Sequence, residues 1–146
     1  MFARHFAHWP SNATKSLSIP ATTLYYNLEV SAARHPDKTA MVYYGTMIRY
    51  AEFKREVDAL AGYLANVCGV GHGERVILDL QNSPQFLIGY YAILRANAVV
   101  VPANPMLKSD ELRYLAQDSG ARVALFGQEV AAEWLPPLRD GAVSHA

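Results

Sequence analysis

The stretch from Arg75 to Pro105, RVILDLQNSPQFLIGYYAILRANAVVVPANP, constrains the fold of this chain more than any other feature. It begins with an apolar run and ends with three valines, and a helix-forming segment separates the two. Near-continuous β-branched runs are typical of parallel strands that are covered on both faces. Because parallel strands are joined by a crossover that is usually a helix, the stretch predicts a βαβ unit. We expect buried strands at 75–80 and 98–103 around a mostly buried helix over 84–96.

Three further elements are predicted before this unit. Helical periodicity and capping residues indicate the two helices, and strand-forming residues on either side of a glycine indicate a hairpin. In the first helix, Leu24, Leu28 and Ala32 are expected to share the buried face. The elements are a helix over 24–35 capped by Thr22 or Thr23, a hairpin over 39–50 that turns at Gly45, and a helix from Ala51 to a left-handed Gly69.

After the unit, a helix, a strand and a second helix are predicted. Acidic residues in a first helical turn and a glycine past the last turn mark the ends of the first helix. Val143 suits the start of another strand. Alternation of strands and helices indicates an α/β layer with a parallel βαβαβ sheet. The elements are a helix over 110–119 capped by Ser109 and ended by Gly120, a strand over 122–126, and a helix over 128–135 stopped by Pro136 and Pro137.

The composition excludes several classes of protein. Thirteen basic residues balance thirteen acidic ones, so there is no basic stripe of the kind that binds nucleic acid. The apolar run over 86–94 is far shorter than the ~20 residues that a membrane span needs, and the first residues lack the apolar core of a secretory signal. The single cysteine, Cys68, excludes an internal disulfide and is expected to be a buried hydrophobe. We expect a cytoplasmic location.

Two turns are candidate ligand sites. Gly69 to Gly73 has the composition of a phosphate-binding loop, but it follows a helix and opens a strand, which is the reverse of what phosphate binding needs. We interpret it as a turn. The turn from Gln81 to Pro84 is better placed, because ligands bind at the carboxyl ends of parallel strands. Ser83 and Pro84 suit the start of a helix, and a ligand-facing role for Asn82 or Ser83 stays open as the alternative.

The remaining chemistry-bearing residues form no recognisable site. The five histidines have no neighbouring cysteine or third histidine to complete a metal site. No G-x-S-x-G elbow marks a hydrolase nucleophile. The tyrosine pairs are interpreted as packing residues; they lie at 25 and 26, 43 and 44, and 90 and 91. We therefore assign no catalytic, cofactor-binding or metal-binding residue.

Residues 22 to about 130 resemble the N-terminal portion of AMP-forming acyl-CoA synthetases, in the adenylate-forming superfamily. The segments that carry the resemblance are TLYYNLEVSAARHPDKTAMVYYG, IRYAEFKREVDALAGYL and GERVILDLQNSPQFLIGYYAILRANAVVVPANPMLKSDELRYLAQDSGARV. The last is similar to the bacterial long-chain fatty acid ligase branch. The fold implied is the N-terminal part of the adenylate-forming enzyme fold, of class α/β.

Two family motifs are present with departures. The segment 48–53 matches L-[TS]-Y-x-E-L, but Arg49 replaces the hydroxyl residue of a capping box, so only the Glu52 half is expected to remain. The segment 94–105 matches L-K-A-G-x-A-Y-V-P, with Asn97 in place of the glycine. Asparagine tolerates the left-handed conformation, so we expect this change to be mild.

The resemblance implies a parent enzyme that joins a fatty acid to coenzyme A through an acyl-adenylate, using ATP and Mg²⁺. The ATP loop T-S-G-T-T-G-x-P-K-G is absent from the sequence, so this segment is expected to bind none of these cofactors and to be inactive alone. We expect an irregular arm over 1–20, a partial α/β subdomain over 21–135 and a tail over 136–146, with self-association through exposed sheet surface. The alternatives are a non-catalytic binding module on the same scaffold and a flavodoxin-like nucleotide binder.

Overall fold

A computed structural model describes residues 4–146 of the chain. These residues form mixed α/β structure, with a short 3-10 helix at Arg4–His8 and another at Gln128–Val130. The remaining elements in chain order are α1 (Leu24–Arg34), β1 (Thr39–Tyr43), β2 (Thr46–Arg49), α2 (Tyr50–Asn66), β3 (Arg75–Asp79), α3 (Pro84–Arg95), β4 (Val99–Pro102), α4 (Ser109–Ser119), β5 (Val123–Phe126) and α5 (Ala131–Arg139).

The three later strands form a parallel sheet in the order β4-β3-β5. In the middle of the sheet, Ile77 of β3 is paired with Val101 of β4 on one side and with Ala124 of β5 on the other. Strands β1 and β2 form a separate antiparallel hairpin. The predicted α/β class, the hairpin and the parallel βαβαβ unit are confirmed.

Burial differs between the two strands that looked most alike in sequence. In β3, Val76, Ile77 and Leu78 are completely buried, as predicted. In β4, Val99 is 47% exposed and its neighbours are only half-buried, so the prediction of a buried valine strand is wrong. The reason is the strand order, because β4 lies at an edge of the sheet and β3 lies in its centre.

Each face of β3 packs into its own hydrophobic cluster. Val76 and Leu78 belong to a cluster formed mainly with α1, α2 and α3, whereas Ile77 belongs to one formed with α4 and α5. The alternation follows from the two-residue period of a strand. Helix α3 approaches β3 closely at Gly89, where an added Cβ would lie 2.7 Å from Cδ1 of Leu78. A glycine at this position lets the helix and the strand pack directly.

Helix α3 is less buried than its apolar sequence predicts. Gly89, Ala92 and Ile93 are buried, but Leu87 is 40% exposed. The aromatic residues of the helix are half-buried. The prediction of a mostly buried helix is therefore wrong for one side of α3, because only the side toward β3 and α2 is covered in this chain.

Helix α1 also buries a different face from the predicted one. Leu28 and Ala32 are buried as expected, but Tyr25 replaces Leu24, which is 47% exposed. The Tyr25 hydroxyl donates a hydrogen bond of 2.5 Å to Asp58 of α2. This polar contact selects the rotation of the helix, which hydrophobicity alone did not determine.

Backbone conformations agree with the turn residues of the sequence. Asn97 has φ 58°, so the asparagine in the second family motif does adopt the left-handed conformation. Gly69 and Gly120 have φ 66° and 68° and follow α2 and α4 as predicted. The hairpin turns at Tyr44 and Gly45, both with positive φ, which is the backbone of a type I′ turn.

Helix starts are confirmed in α1 and α3 but not in the other two predicted cases. Thr23 caps α1 and Ser83 caps α3 through their side chains. At α2 the Arg49 side chain makes no capping bond. The expected Glu52 half of the capping box is also absent from the described hydrogen bonds, so that prediction is wrong. The carbonyls of Lys38 and Pro36 accept the first two N–H groups of α2 instead.

Helix α4 begins at Ser109 rather than after it, so the prediction that Ser109 is the cap is wrong. The Glu133 carboxylate of α5 accepts both the Ser109 N–H at 3.0 Å and the Ser109 hydroxyl at 2.8 Å. Glu111 accepts the N–H of Lys108 at 2.8 Å. The start of α4 is thus capped by a residue from a different helix, which local sequence rules do not detect.

Helix α5 continues through Pro136 and Pro137 to Arg139, so the predicted stop at the prolines is wrong. Trp134 and Pro137 lie three residues apart on the helix and are both buried, Trp134 within the second cluster. The Asp140 N–H bonds to the Pro136 carbonyl at 3.0 Å, so the backbone bonds resume after the prolines. Burial of this face offsets the backbone hydrogen bonds that the helix loses because proline has no N–H group.

The last residues extend the sheet at β5. The Ala124 N–H bonds to the His145 carbonyl at 3.1 Å, and His145 forms a parallel bridge with Val123. Val143 is buried. The segment therefore lies beside the first half of β5, as the strand-forming character of Val143 indicated.

We predict that Arg49→Thr stabilises the chain by about 0.5–1 kcal/mol, because a threonine hydroxyl at the N-cap can accept an N–H of the first helical turn. Urea unfolding followed by circular dichroism would measure the change. Arg49→Ala is the matched control, since it removes the same exposed ion pair to Asp37 without adding an acceptor. Equal stability of the two variants would contradict the prediction.

Candidate functional site

The largest cavity described in the structure lies at the carboxyl edge of the parallel sheet. Its volume is about 1040 Å³. The segments that follow β3 and β5 form one wall, and Tyr43 of the hairpin and residues of α2 form the other. The chain runs from β3 to β4 on one side of β3 and then crosses over to β5 on the other side. The gap between β3 and β5 is therefore the topological switch point of this sheet. Ligands bind preferentially at such a point.

Ser83 lies at this cavity but its hydroxyl already has a structural role. The Ser83 Oγ accepts the Phe86 N–H at 3.2 Å at the start of α3, and Pro84 occupies the first turn. Asn82 is exposed and lines an adjacent cavity of about 320 Å³ beside the hairpin. The capping role of Ser83 is confirmed, and a ligand-facing role for Asn82 stays a prediction.

Asp79 is the polar residue at this edge that sequence reasoning did not single out. It ends β3, is only 1% exposed, and accepts a hydrogen bond of 2.8 Å from Nε1 of Trp134 through Oδ2. The other oxygen, Oδ1, has no hydrogen-bond partner among the described residues. The sequence signal that could have identified Asp79 is that it is the one acidic residue within an otherwise apolar predicted strand.

Burial raises the pKa of the Asp79 carboxyl, and the charge of Glu129 adds to this, while the bond from Trp134 acts in the opposite direction. Trp134 in turn stacks on Phe126, with the ring centroids 5.4 Å apart. Phe126 lines the large cavity. Asp79 thus supports the cavity wall through Trp134 and does not itself line the cavity.

The segment after β5 is tied to the end of β3. The Gly127 N–H donates to the Asp79 carbonyl at 3.2 Å. The Glu129 carboxylate lies over Gly127, where it occupies the space that a Cβ would fill. The wall of the cavity therefore carries a carboxylate at Glu129, and the glycine allows its approach.

The glycine-rich stretch from Gly69 to Gly73 lies at the opposite, amino edge of the sheet. It turns the chain into β3, as predicted. The Gly71 N–H donates to the Glu74 carboxylate at 2.6 Å, and Arg122 donates to the same carboxylate at 2.8 Å. These bonds lower the pKa of Glu74, with the backbone bond from Gly71 the main cause. The amide that could have faced a phosphate is occupied by the chain's own carboxylate.

The possible metal ligands, the cysteine and the tyrosine pairs form no common site among the described residues. Within residues 4–146, no group of three or more His, Cys, Asp or Glu side chains is arranged to hold a metal ion. Cys68 is a buried free thiol, as predicted. Of the paired tyrosines, Tyr25 is buried, but Tyr26 is 47% exposed and Tyr44 is 93% exposed, so the packing interpretation is wrong for Tyr26 and Tyr44.

A second carboxylate, Asp58, has the opposite electrostatic environment to Asp79. It accepts bonds of 2.5 Å from both the Lys54 ammonium and the Tyr25 hydroxyl, and Arg95 lies 3.6 Å away. Burial acts to raise the pKa of Asp58, but the bonds from Lys54 and Tyr25 outweigh it, and the net pKa is lowered. This cluster joins α1, α2 and α3 and has a structural role.

We predict that Asp79→Asn raises the free energy of unfolding at pH 7, because it removes a charge that burial disfavours while the amide oxygen can still accept the hydrogen bond from Nε1 of Trp134. The folded pKa of Asp79 is raised, so its contribution to stability is present below the unfolded value of 3.8 and is lost as pH rises through the folded value. Urea unfolding between about pH 3 and pH 7 measures this effect. The parent chain should lose the Asp79 contribution to the free energy of unfolding as pH rises, and the variant should not show this loss.

Asp58→Asn is the matched control. The folded pKa of Asp58 is lowered, so its contribution is present above the unfolded value and is lost as pH falls. This variant should be less stable than the parent chain at pH 7, and the difference should shrink in acid. If both substitutions changed the free energy of unfolding at pH 7 in the same direction, the opposite pKa shifts assigned to Asp79 and Asp58 would be contradicted.

Comparison with known proteins identifies the fold and the family. The family model described as AMP-binding enzyme matches residues 28–144. A long-chain-fatty-acid–CoA ligase of Bacillus subtilis is 36% identical over 119 residues, which are 82% of this chain and 21% of the relative. The chain thus spans about a fifth of the length of this curated relative.

Solved structures agree. A long-chain-fatty-acid-CoA ligase (FadD1) from Archaeoglobus fulgidus superposes with a TM-score of 0.80 at 27% identity, over 89% of this chain and 28% of that one. The inhibitor-bound N-terminal domain of FACL13 from Mycobacterium tuberculosis superposes with a TM-score of 0.76 at 26% identity, over 84% and 32%. The chain belongs to the AMP-binding enzyme family and has the fold of the N-terminal part of adenylate-forming enzymes.

Proposed function

We propose that this chain is the N-terminal part of an ATP-dependent, AMP-forming acyl-CoA ligase that acts on a fatty acid. The observation that carries the proposal is the 36% identity to a long-chain-fatty-acid–CoA ligase over most of this chain. In the proposed reaction the carboxylate attacks the α-phosphate of ATP, pyrophosphate leaves, and the thiol of coenzyme A then displaces AMP. The small-molecule partners are the fatty acid, ATP with Mg²⁺, and coenzyme A.

Within that enzyme, residues 4–146 serve as a scaffold. The two family motifs in this chain lie at the start of α2 and at the turn from α3 into β4, where they shape helix ends. The ATP loop T-S-G-T-T-G-x-P-K-G does not occur in the sequence. Groups that stabilise charge in the transition state supply most of the catalysis in such reactions, so we propose that the chain alone has no ligase activity.

The alternative function is a non-catalytic binding module on the same scaffold. The observation that favours it is the cavity of about 1040 Å³ at the switch point of the sheet. This alternative predicts saturable thermal stabilisation of the isolated chain by a ligand. Thermal-shift measurements with ATP, a flavin, coenzyme A and palmitoyl-CoA distinguish it, because the ligase proposal expects no shift with any of them.

The proposed division of the chain at residues 20 and 135 and the cytoplasmic location stay predictions. No helix among residues 4–146 is long and apolar enough to cross a membrane.

We predict that the purified chain catalyses no ATP–pyrophosphate exchange with palmitate. The physical reason is that this segment contains no ATP loop. Radiolabelled pyrophosphate incorporation into ATP is the measurement, with the full-length B. subtilis ligase as the active control. Exchange by the purified chain above a no-enzyme blank would contradict the proposed inactivity.

A chimera tests the ligase assignment itself. We expect the B. subtilis ligase to retain palmitate-dependent exchange when its matched segment is replaced by residues 28–144 of this chain. A control chimera that also carries Gly89→Leu should lose activity, because a side chain at this position collides with Leu78. A folded, cooperatively unfolding chimera without exchange would contradict the assignment.

We also predict self-association of the isolated chain. Strand β4 lies at an edge of the sheet, and Val99 is 47% exposed. The second half of β5 is not paired by the segment after Val143. Unpaired edges of a parallel sheet promote association with other chains. Size-exclusion chromatography with light scattering should show species larger than a monomer, and a single monomeric peak across the concentration range would contradict this.

A further inference from the structure

The amino edge of the parallel sheet carries two arginines at neighbouring positions. Val76 of β3 is paired with Val123 of β5, and Arg75 and Arg122 immediately precede these two residues. Because side chains alternate along a strand, residues at matching positions of paired parallel strands point to the same face. Arg75 and Arg122 therefore lie side by side on one face of the sheet, at the end opposite to the switch point.

Both arginines line a cavity of about 260 Å³ at this edge. Its other walls are formed by the turn before β3, which includes His72 and Gly73, and by the residues between α4 and β5, which include Gly120. An added Cβ at Gly73 or Gly120 would meet no heavy atom within 4 Å, so the backbone at both positions borders open space. The cavity is thus bounded by cations and by backbone that no side chain covers.

The positive charge of this cavity is only half neutralised within the chain. The Arg122 guanidinium donates to the Glu74 carboxylate at 2.8 Å, and the Gly71 N–H donates to the other oxygen of that carboxylate at 2.6 Å. Arg75 forms no salt bridge with a carboxylate among the described residues. Like charges at adjacent positions of paired strands destabilise a sheet. A second anion at this edge would remove that repulsion.

The contacts of Glu74 indicate which ligand chemistry suits the site. Its carboxylate is held by a backbone N–H and a guanidinium, and these bonds lower the pKa of Glu74. A guanidinium offers paired donors that match the oxygens of carboxylates and phosphates, and Arg75 brings the same donors to the same cavity. The cavity is smaller than the roughly 300–1,000 Å³ of pockets for drug-sized ligands, so it suits a small anion and not a nucleotide or an acyl-CoA.

We propose that the cavity at the amino edge of the sheet binds a small phosphate dianion between the guanidiniums of Arg75 and Arg122. The dianion lies beside Glu74 and does not replace it, so the Gly71 N–H keeps its carboxylate partner. A phosphate offers more charge and more acceptor oxygens to two guanidiniums than a carboxylate does. Because both arginines are exposed, the binding is weak and declines with salt. This proposal does not depend on the proposed ligase activity.

Equilibrium dialysis of the full chain against radiolabelled inorganic phosphate tests the proposal, because it measures bound ligand whether the chain is monomeric or self-associated. We expect saturable binding of one phosphate per chain at low salt and weaker binding at about 0.5 M NaCl. Displacement of the label by methyl phosphate would support the proposal with a phosphomonoester as the ligand. Displacement by unlabelled phosphate alone would support it with free phosphate. Binding that does not saturate, or that salt leaves unchanged, would overturn it.

Single substitutions locate the site, with circular dichroism to confirm that each variant folds. Arg75→Gln and Arg122→Gln should each lower the association constant by about fivefold or more. Glu74→Gln keeps an oxygen for the Gly71 N–H but removes a competing charge, so it should tighten binding by about twofold to fivefold. Arg55→Gln is the matched control, because Arg55 is an exposed cation of α2. Equal losses in Arg55→Gln and Arg75→Gln, or no tightening in Glu74→Gln, would reject the site.

Discussion

The packing of helix α3 against the central strand β3 is the contact on which the rest of the structure depends. At Gly89 the helix backbone approaches the Leu78 side chain so closely that a Cβ would collide with it. Strand β3 is paired on both edges and covered on both faces, by α3 on one and by α4 and α5 on the other. Each added layer therefore buries another side of the same strand, which concentrates the hydrophobic stabilisation there.

Polar groups at helix ends are satisfied largely by distant parts of the chain. Carbonyls of Pro36 and Lys38 cap α2, and Glu133 of α5 caps α4. Because an unpaired N–H at a helix start costs free energy, these contacts join neighbouring elements as well as completing each helix. The replacement of a capping hydroxyl by Arg49 is tolerated for this reason, since the preceding loop supplies the acceptors.

Asp79 of β3 has a buried carboxyl oxygen, Oδ1, without a hydrogen-bond partner among the described residues. The one partner of the carboxyl group, Trp134, stacks on Phe126 at the wall of the cavity between β3 and β5. The unpaired carboxyl oxygen of Asp79 thus lies beside the switch point of the sheet. Phe126 packs against the second hydrophobic cluster and also forms part of the cavity wall, whereas the backbone hydrogen bonds of the arm over 4–20 stay within the arm.

The sequence by itself determined the class of the fold, most element positions and the family. Apolar runs, capping serine and threonine, and glycine or asparagine at left-handed positions act locally, so Ser83, Asn97 and Gly120 could be assigned from their neighbours alone. The tertiary structure decided what depends on strand order and on helix rotation. The similar runs of β3 and β4 became a buried and an edge strand, and Tyr25 rather than Leu24 joined the core and bonds to Asp58. Helix α5 passed through two prolines with Trp134 and Pro137 both buried. The cavity at the carboxyl edge could not be predicted either, because it exists only once β5 lies on the opposite side of β3 from β4.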